Sequence, residues 1–144
     1  MRTFSILLLA VLATAAVVLG QTEQVSALAA AKKAVEARLS PPQNTSTVRL
    51  INVTTSTVPN RGAVLALTMQ LPSTDKFEFH AETTYILIWQ ALAKVPNVYK
   101  HLSRVQLTLR HAPRTMMIDC PAESVEDMYG FTDFARLKRL CAVR

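Results

Sequence analysis

The sequence predicts an α+β domain in the order helix–strand–strand–helix–strand–strand (αββαββ), closed by a helical tail. Three observations predict it. Residues 22–39 and 77–95 carry apolar side chains at helical spacing. Each of these is followed by two stretches rich in β-branched residues or alternating apolar with polar, the mark of strands with one buried face. The last stretch, residues 123–144, returns to helical periodicity and carries Phe131, Phe134, Leu137, Leu140 and Cys141 on its apolar side. Two such units are expected to form a four-stranded sheet of antiparallel type with both long helices on one face.

The elements follow in order. In residues 22–39, Val25, Leu28, Val35 and Leu39 recur at near-heptad spacing, interrupted by Lys32, and Pro41 and Pro42 end the helix. Residues 47–57 hold Val48, Ile51, Val53, Thr54 and Thr55 and read as a strand. A turn follows at Val58, Pro59, Asn60, Arg61 and Gly62, where Asn60 and Gly62 tolerate positive φ. In residues 63–71, Ala63, Leu65, Leu67, Met69 and Leu71 face one way and complete a hairpin. Asp75 and Glu78 have capping-box spacing ahead of the second helix, whose stripe is Ala81, Tyr85, Ile88, Trp89, Leu92 and Val95. Residues 103–110 alternate strictly, His111, Ala112 and Pro113 turn the chain, and residues 114–119 return as a fourth strand. The tail is expected as two helical pieces parted near Tyr129 and Gly130.

Ahead of this domain lies an export signal. Residues 4–20 contain no charge, and Arg2 with the amino terminus supplies positive charge just before them. That is the order of a signal peptide. Small or compact residues at Val18 and Gly20, at Val25 and Ala27, and at Ala27 and Ala29 offer alternative cleavage sites. A membrane span takes about 20 apolar residues, with a range of about 17 to 25, so a retained anchor stands beside the cleaved peptide. Residues 21–144 then form a single extracytoplasmic domain, with residues 21–40 as a stalk or dimer seam if the anchor is kept. Arg2 is the one charged residue of the leader, so the domain carries +5 where the whole chain carries +6. Such a charge favours anionic partners and argues nothing about fold.

Few residues suggest chemistry. The two cysteines, Cys120 and Cys141, are expected to pair in an exported chain and to pin the tail to the fourth strand. Lys100, His101, Arg104, Arg110, His111 and Arg114 form a basic group along the third strand and its flanks. Arg104 and Arg110 share a face by period-two geometry. Such a stripe could engage an anionic lipid, a polyanion or an acidic protein through charge-assisted hydrogen bonds; equally, it is what a solvated outer face looks like. No aromatic residue lies between the basic ones, which argues against a single-stranded nucleic acid partner. Asn44 and Asn52 begin Asn-x-Ser/Thr acceptor patterns that matter only in a host that glycosylates exported proteins. His80 with Glu82, and His101 with Ser103, have no recognisable third partner. No metal-binding, nucleophile-elbow or phosphate-loop motif occurs, so neither a cofactor nor a metal is expected.

In arrangement, the helix–hairpin–helix–hairpin order resembles small periplasmic domains of bacterial envelope assemblies, in which a membrane anchor leads through a helix into a ferredoxin-like αββαββ domain. Lipid-binding BON domains share part of that layout, with glycines that this chain lacks. The resemblance implies a ferredoxin-like arrangement and a binding or assembly role with an envelope or extracellular protein. Anion or membrane-surface binding is the alternative, and a small secreted hydrolase stands behind both.

Overall fold

The structure, a computed structural model, describes residues 3–40, 48–60, 62–73, 75–128 and 133–144, with side chains from residue 18 onward. Helix α1 (Thr3–Leu39) leads to strands β1 (Arg49–Val58) and β2 (Gly62–Gln70). Helices α2 (Phe77–Leu92) and α3 (Val98–His101) precede strands β3 (Leu102–His111) and β4 (Arg114–Pro121). The tail holds α4 (Ala122–Glu126), α5 (Phe134–Leu140) and a two-residue strand, β5 (Ala142–Val143). The α+β class follows as expected.

The sheet corrects the expected one. It has five strands in the sequential order β1-β2-β3-β4-β5, and it is mixed. Strands β1 and β2 pair antiparallel, as do β3 with β4 and β4 with β5, but β2 and β3 run parallel from Ala63↔Leu102 to Gln70↔Arg110. The reason is connectivity. Helix α2 carries the chain back to the end where β2 began, so β3 starts beside the start of β2 and runs the same way. A ferredoxin-like sheet is built on split βαβ units, with another strand between the two that a helix joins. Here the two joined strands are direct neighbours, so the ferredoxin-like order is not the one formed.

The described helices make one layer on one face. Helix α1 packs on α2, α3 and β1, while α2 also meets α4 and α5. Leu28, Ala31, Val35 and Leu39 of α1 are buried, at the three- and four-residue spacing of a helix packed along one stripe. Val25 is 68% exposed. The near-heptad seam therefore divides: from Leu28 onward it is core, and only its beginning faces solvent. Opposite lie Leu65, Leu67 and Met69 of β2, Val105, Leu107 and Leu109 of β3, and Met116, Ile118 and Cys120 of β4. Tyr85 of α2, wholly buried, reaches through this core, and its hydroxyl lies 3.2 Å from the Val105 carbonyl and 3.1 Å from that of Ile118.

Local signals explain most boundaries. Asn60 and Gly62 take φ of 63° and 71° in the β1–β2 turn, and a Cβ on Gly62 would run into the Ser103 side chain. The second helix stops at Leu92, and Asn97, at φ 57°, starts the separate α3. The capping box does not form as expected: Lys76 is the N-cap of α2 and makes no side-chain cap bond. Helix α5 is capped, with Asp133 accepting from the Arg136 backbone N–H at 2.6 Å. The Cys120–Cys141 disulfide forms as expected and delivers the chain into β5. The backbones of Met117 and Arg144 then exchange two hydrogen bonds of 2.9 Å. The end of the tail is thus a strand, not a helix.

Candidate binding surface

With the described helices all on one side, the other face of the sheet lies open, and register fixes its rows. Asn52, Thr68 and Thr108 form one row, continued by Met117 and Arg144. Thr54, Ala66, Gln106, Asp119 and Ala142 form the next. Arg49, Gln70, Arg110 and Thr115 form the row at the far end, where β3 ends. The face is a lattice of hydroxyls and amides with few apolar groups, of which Met117 is 41% exposed.

The expected basic stripe does not gather into one patch. Arg104 and Arg110 share the open face, but Arg104 Nε lies 2.8 Å from Asp119 Oδ1 and its charge is matched there. That hydrogen bond, opposed in part by burial, raises the Arg104 pKa. Lys100 stands exposed on α3 at the other end of β3, and His101 borders a cleft between α1 and the α2–α3 connection. His111 turns its ring inward, with Nδ1 2.9 Å from the Leu71 carbonyl. Arg114 faces the helix layer and sets its guanidinium 4.7 Å from the centre of the Phe77 ring. In place of these, the register brings Arg49 and Arg144 to the open face. Neither is placed on this face by the sequence alone, because each lies far from β3 in the chain.

Asn52 is exposed on this same face with Thr54 two residues on, so that acceptor pattern is displayed. Asn44 lies outside the described residues, as do the side chains of most of the apolar run at residues 4–20. Among the described residues no helix is long and apolar enough to cross a membrane. The disulfide is consistent with an oxidising compartment outside the cytoplasm.

The polar groups of the helix layer lie apart. His80 belongs to α2, and its pKa is lowered by burial and by Lys76 nearby. Glu82 accepts the Phe134 backbone N–H at 2.7 Å and so ties α5 to α2. Tyr99 borders an open cleft of about 640 Å³ with Trp89, Lys100 and Glu126. Its buried hydroxyl has no hydrogen-bond partner among the described residues, and burial together with Glu126 pushes its pKa up to about 12. Among the described residues no cluster of His, Cys, Asp or Glu could hold a metal ion.

Fold and surface together define a disulfide-bonded α+β domain whose described helices cover one face of the sheet and leave the other uncovered. Compared with protein-family models, curated proteins and solved structures, the chain matches none.

Proposed function

We propose that this chain is a non-enzymatic binding or assembly domain working outside the cytoplasm, secreted or tethered by residues 4–20, that meets an envelope or extracellular protein with the open face of its sheet. The observation that carries the reading is the sheet face that the described helices leave uncovered. An uncovered sheet face of rowed hydroxyls, amides and arginines offers directional contacts over several strands, while the three histidines lie in separate elements. The test is site-specific photo-crosslinking in the native host, with the reactive residue placed at Thr54 or Gln106 on the open face and at Glu36 on α1. A partner captured from the sheet positions and not from α1 is the expected result. Capture from α1 alone sinks the reading.

A second reading, binding to anions, is favoured by a separate feature. Among the described residues, Arg49, Arg110 and Arg144 on the open face lack a side-chain carboxylate such as Arg104 has. In its membrane-surface form this reading is weaker, because those arginines stand at the opposite end of the sheet from the part of α1 nearest residues 4–20.

A further inference from the structure

From the register of β1, β2 and β3, we infer that Arg49, Gln70 and Arg110 form a binding site for the sulfate or phosphate esters of a linear anionic polymer, with Arg144 extending it. The site rests on the second, anion-binding reading of the open face and names the anion chemistry that reading takes.

The site depends on an irregularity. From Asn52 onward, alternate residues of β1 face outward opposite Thr68, Ala66 and Val64. Counting back by twos would turn Leu50 outward and Arg49 into the core. Ile51 is an extra residue, a bulge between Leu50↔Met69 and Asn52↔Thr68, and a bulge resets which face the preceding residues occupy. Leu50 therefore packs beside Met69 on the core side, and Arg49 joins Gln70 on the open face.

Gln70 in turn pairs with Arg110, so the two arginines flank it on one row, two strand spacings or roughly 10 Å apart. Both are exposed, and their guanidinium groups are long enough to converge on one oxyanion above Gln70. Thr115 extends the row, and Thr68 and Thr108 flank it with further hydroxyl donors. Asp119 is the sole Asp or Glu on the described open face, and Arg104 already holds it. Arg49 and Arg110 have no ion pair among the described residues, so their charge is uncompensated. Arg144, bonded to Met117 on β4, stands a further two strands along from Arg110. Arg49, Arg110 and Arg144 follow a slanted track across the sheet, with Arg144 on the neighbouring Thr108 row, and such a track matches a linear polymer better than an isolated ion. A lipid surface suits the face poorly, since of its outward side chains Met117 is the large apolar one well exposed beyond the bulge and turn of β1.

The experiment is calorimetric titration of the full chain with dextran sulfate, with uncharged dextran, inorganic sulfate and anionic phosphatidylserine vesicles as separate arms. Binding to dextran sulfate that weakens as salt rises is expected. Arg49→Ser and Arg110→Ser should each weaken it roughly tenfold, the size of one lost charge-assisted contact. Arg139→Ser, on the helix layer, should leave it unchanged. The inference is overturned if wild type does not bind dextran sulfate, if Arg49→Ser and Arg110→Ser bind like wild type, or if plain dextran binds as well. Vesicle binding lost in the same two variants without dextran sulfate binding overturns the polymer. A protein crosslinked from Thr54 alongside any of these failures would leave the proposed function standing and remove this site alone.

Discussion

Breaking the Cys120–Cys141 bond tests how the tail is held. The two cysteines are 21 residues apart, and closing a loop of that length removes unfolded-state entropy equivalent to about 3 kcal/mol. The bond joins β4 to the residue just before β5, and β5 has two residues of ladder with one further pair at Met117 and Arg144. A two-residue strand has little to hold it once the crosslink is gone. Helix α5 keeps its own anchors, because Phe134 and Leu137 are buried and the Phe134 N–H is bonded to Glu82. Replacing both cysteines by alanine should therefore lower unfolding free energy by about 3 kcal/mol and Tm by roughly 10 °C. Amide protons of residues 142–144 should lose protection while those of β2 and β3 keep theirs. Urea unfolding and hydrogen exchange read the two effects. Equal stability of oxidised and doubly substituted proteins, or loss of protection spread evenly over the sheet, would refute the reasoning.

Three further outcomes are expected. Tyr85→Phe removes a fully buried hydroxyl next to two strand carbonyls and should cost about 1 kcal/mol in urea unfolding, and an unchanged midpoint would mean those bonds are not made. Alkaline conditions should destabilise the fold. Burial raises the Tyr85 pKa well above 10 and that of Tyr99 to about 12, so above pH 10 the unfolded chain gives up protons that the folded chain keeps. Stability should accordingly be full below pH 10 and fall as pH rises toward 12, with a smaller fall in Tyr99→Phe, read by circular dichroism. Asp119→Asn should cost less than about 1 kcal/mol, since the Arg104 pair is partly exposed, yet it frees a fourth arginine on the open face. Dextran sulfate affinity should then rise, and a fall would contradict the assigned geometry.

The long elements were legible in the sequence because each is a local pattern. The alternation of Val105, Leu107 and Leu109 with polar residues says which side chains share a face, and the structure keeps that division. It does not say which strand lies next to which, so the parallel pairing of β2 with β3 was hidden. Strand β5 escaped because two residues carry no periodicity, and the disulfide is what delivers them to β4. The basic surface was half legible for the same reason. Arg104 and Arg110 were placed on one face from their spacing, whereas matching Arg104 to Asp119 required the β3–β4 register. Arg49 was hidden more deeply, since the Ile51 bulge inverts what alternation predicts for it.

The direction of α1 decides between uses of this surface. Thr22, Ser26 and Ala30 line a cleft with Val95, Asn97 and His101, so the early part of α1 lies where β3 begins. Arg110 lies near the other end of that ten-residue strand, roughly 30 Å away. Charges in water are screened over about 8 Å at physiological salt. If residues 4–20 remain in a membrane, the row of Arg49 and Arg110 lies several screening lengths along the strands from that membrane's own headgroups. A tethered chain would then hold its arginines outward, toward whatever polymer or protein lies beyond the bilayer. A released chain would have no such constraint, and Arg49→Ser and Arg110→Ser could weaken its binding to any anionic surface. Comparing the two forms on phosphatidylserine vesicles separates these cases: for the tethered form reconstituted in those vesicles, energy transfer from a label at Thr115 to the headgroups that falls in Arg49→Ser and Arg110→Ser would show that α1 does not set the direction inferred for it.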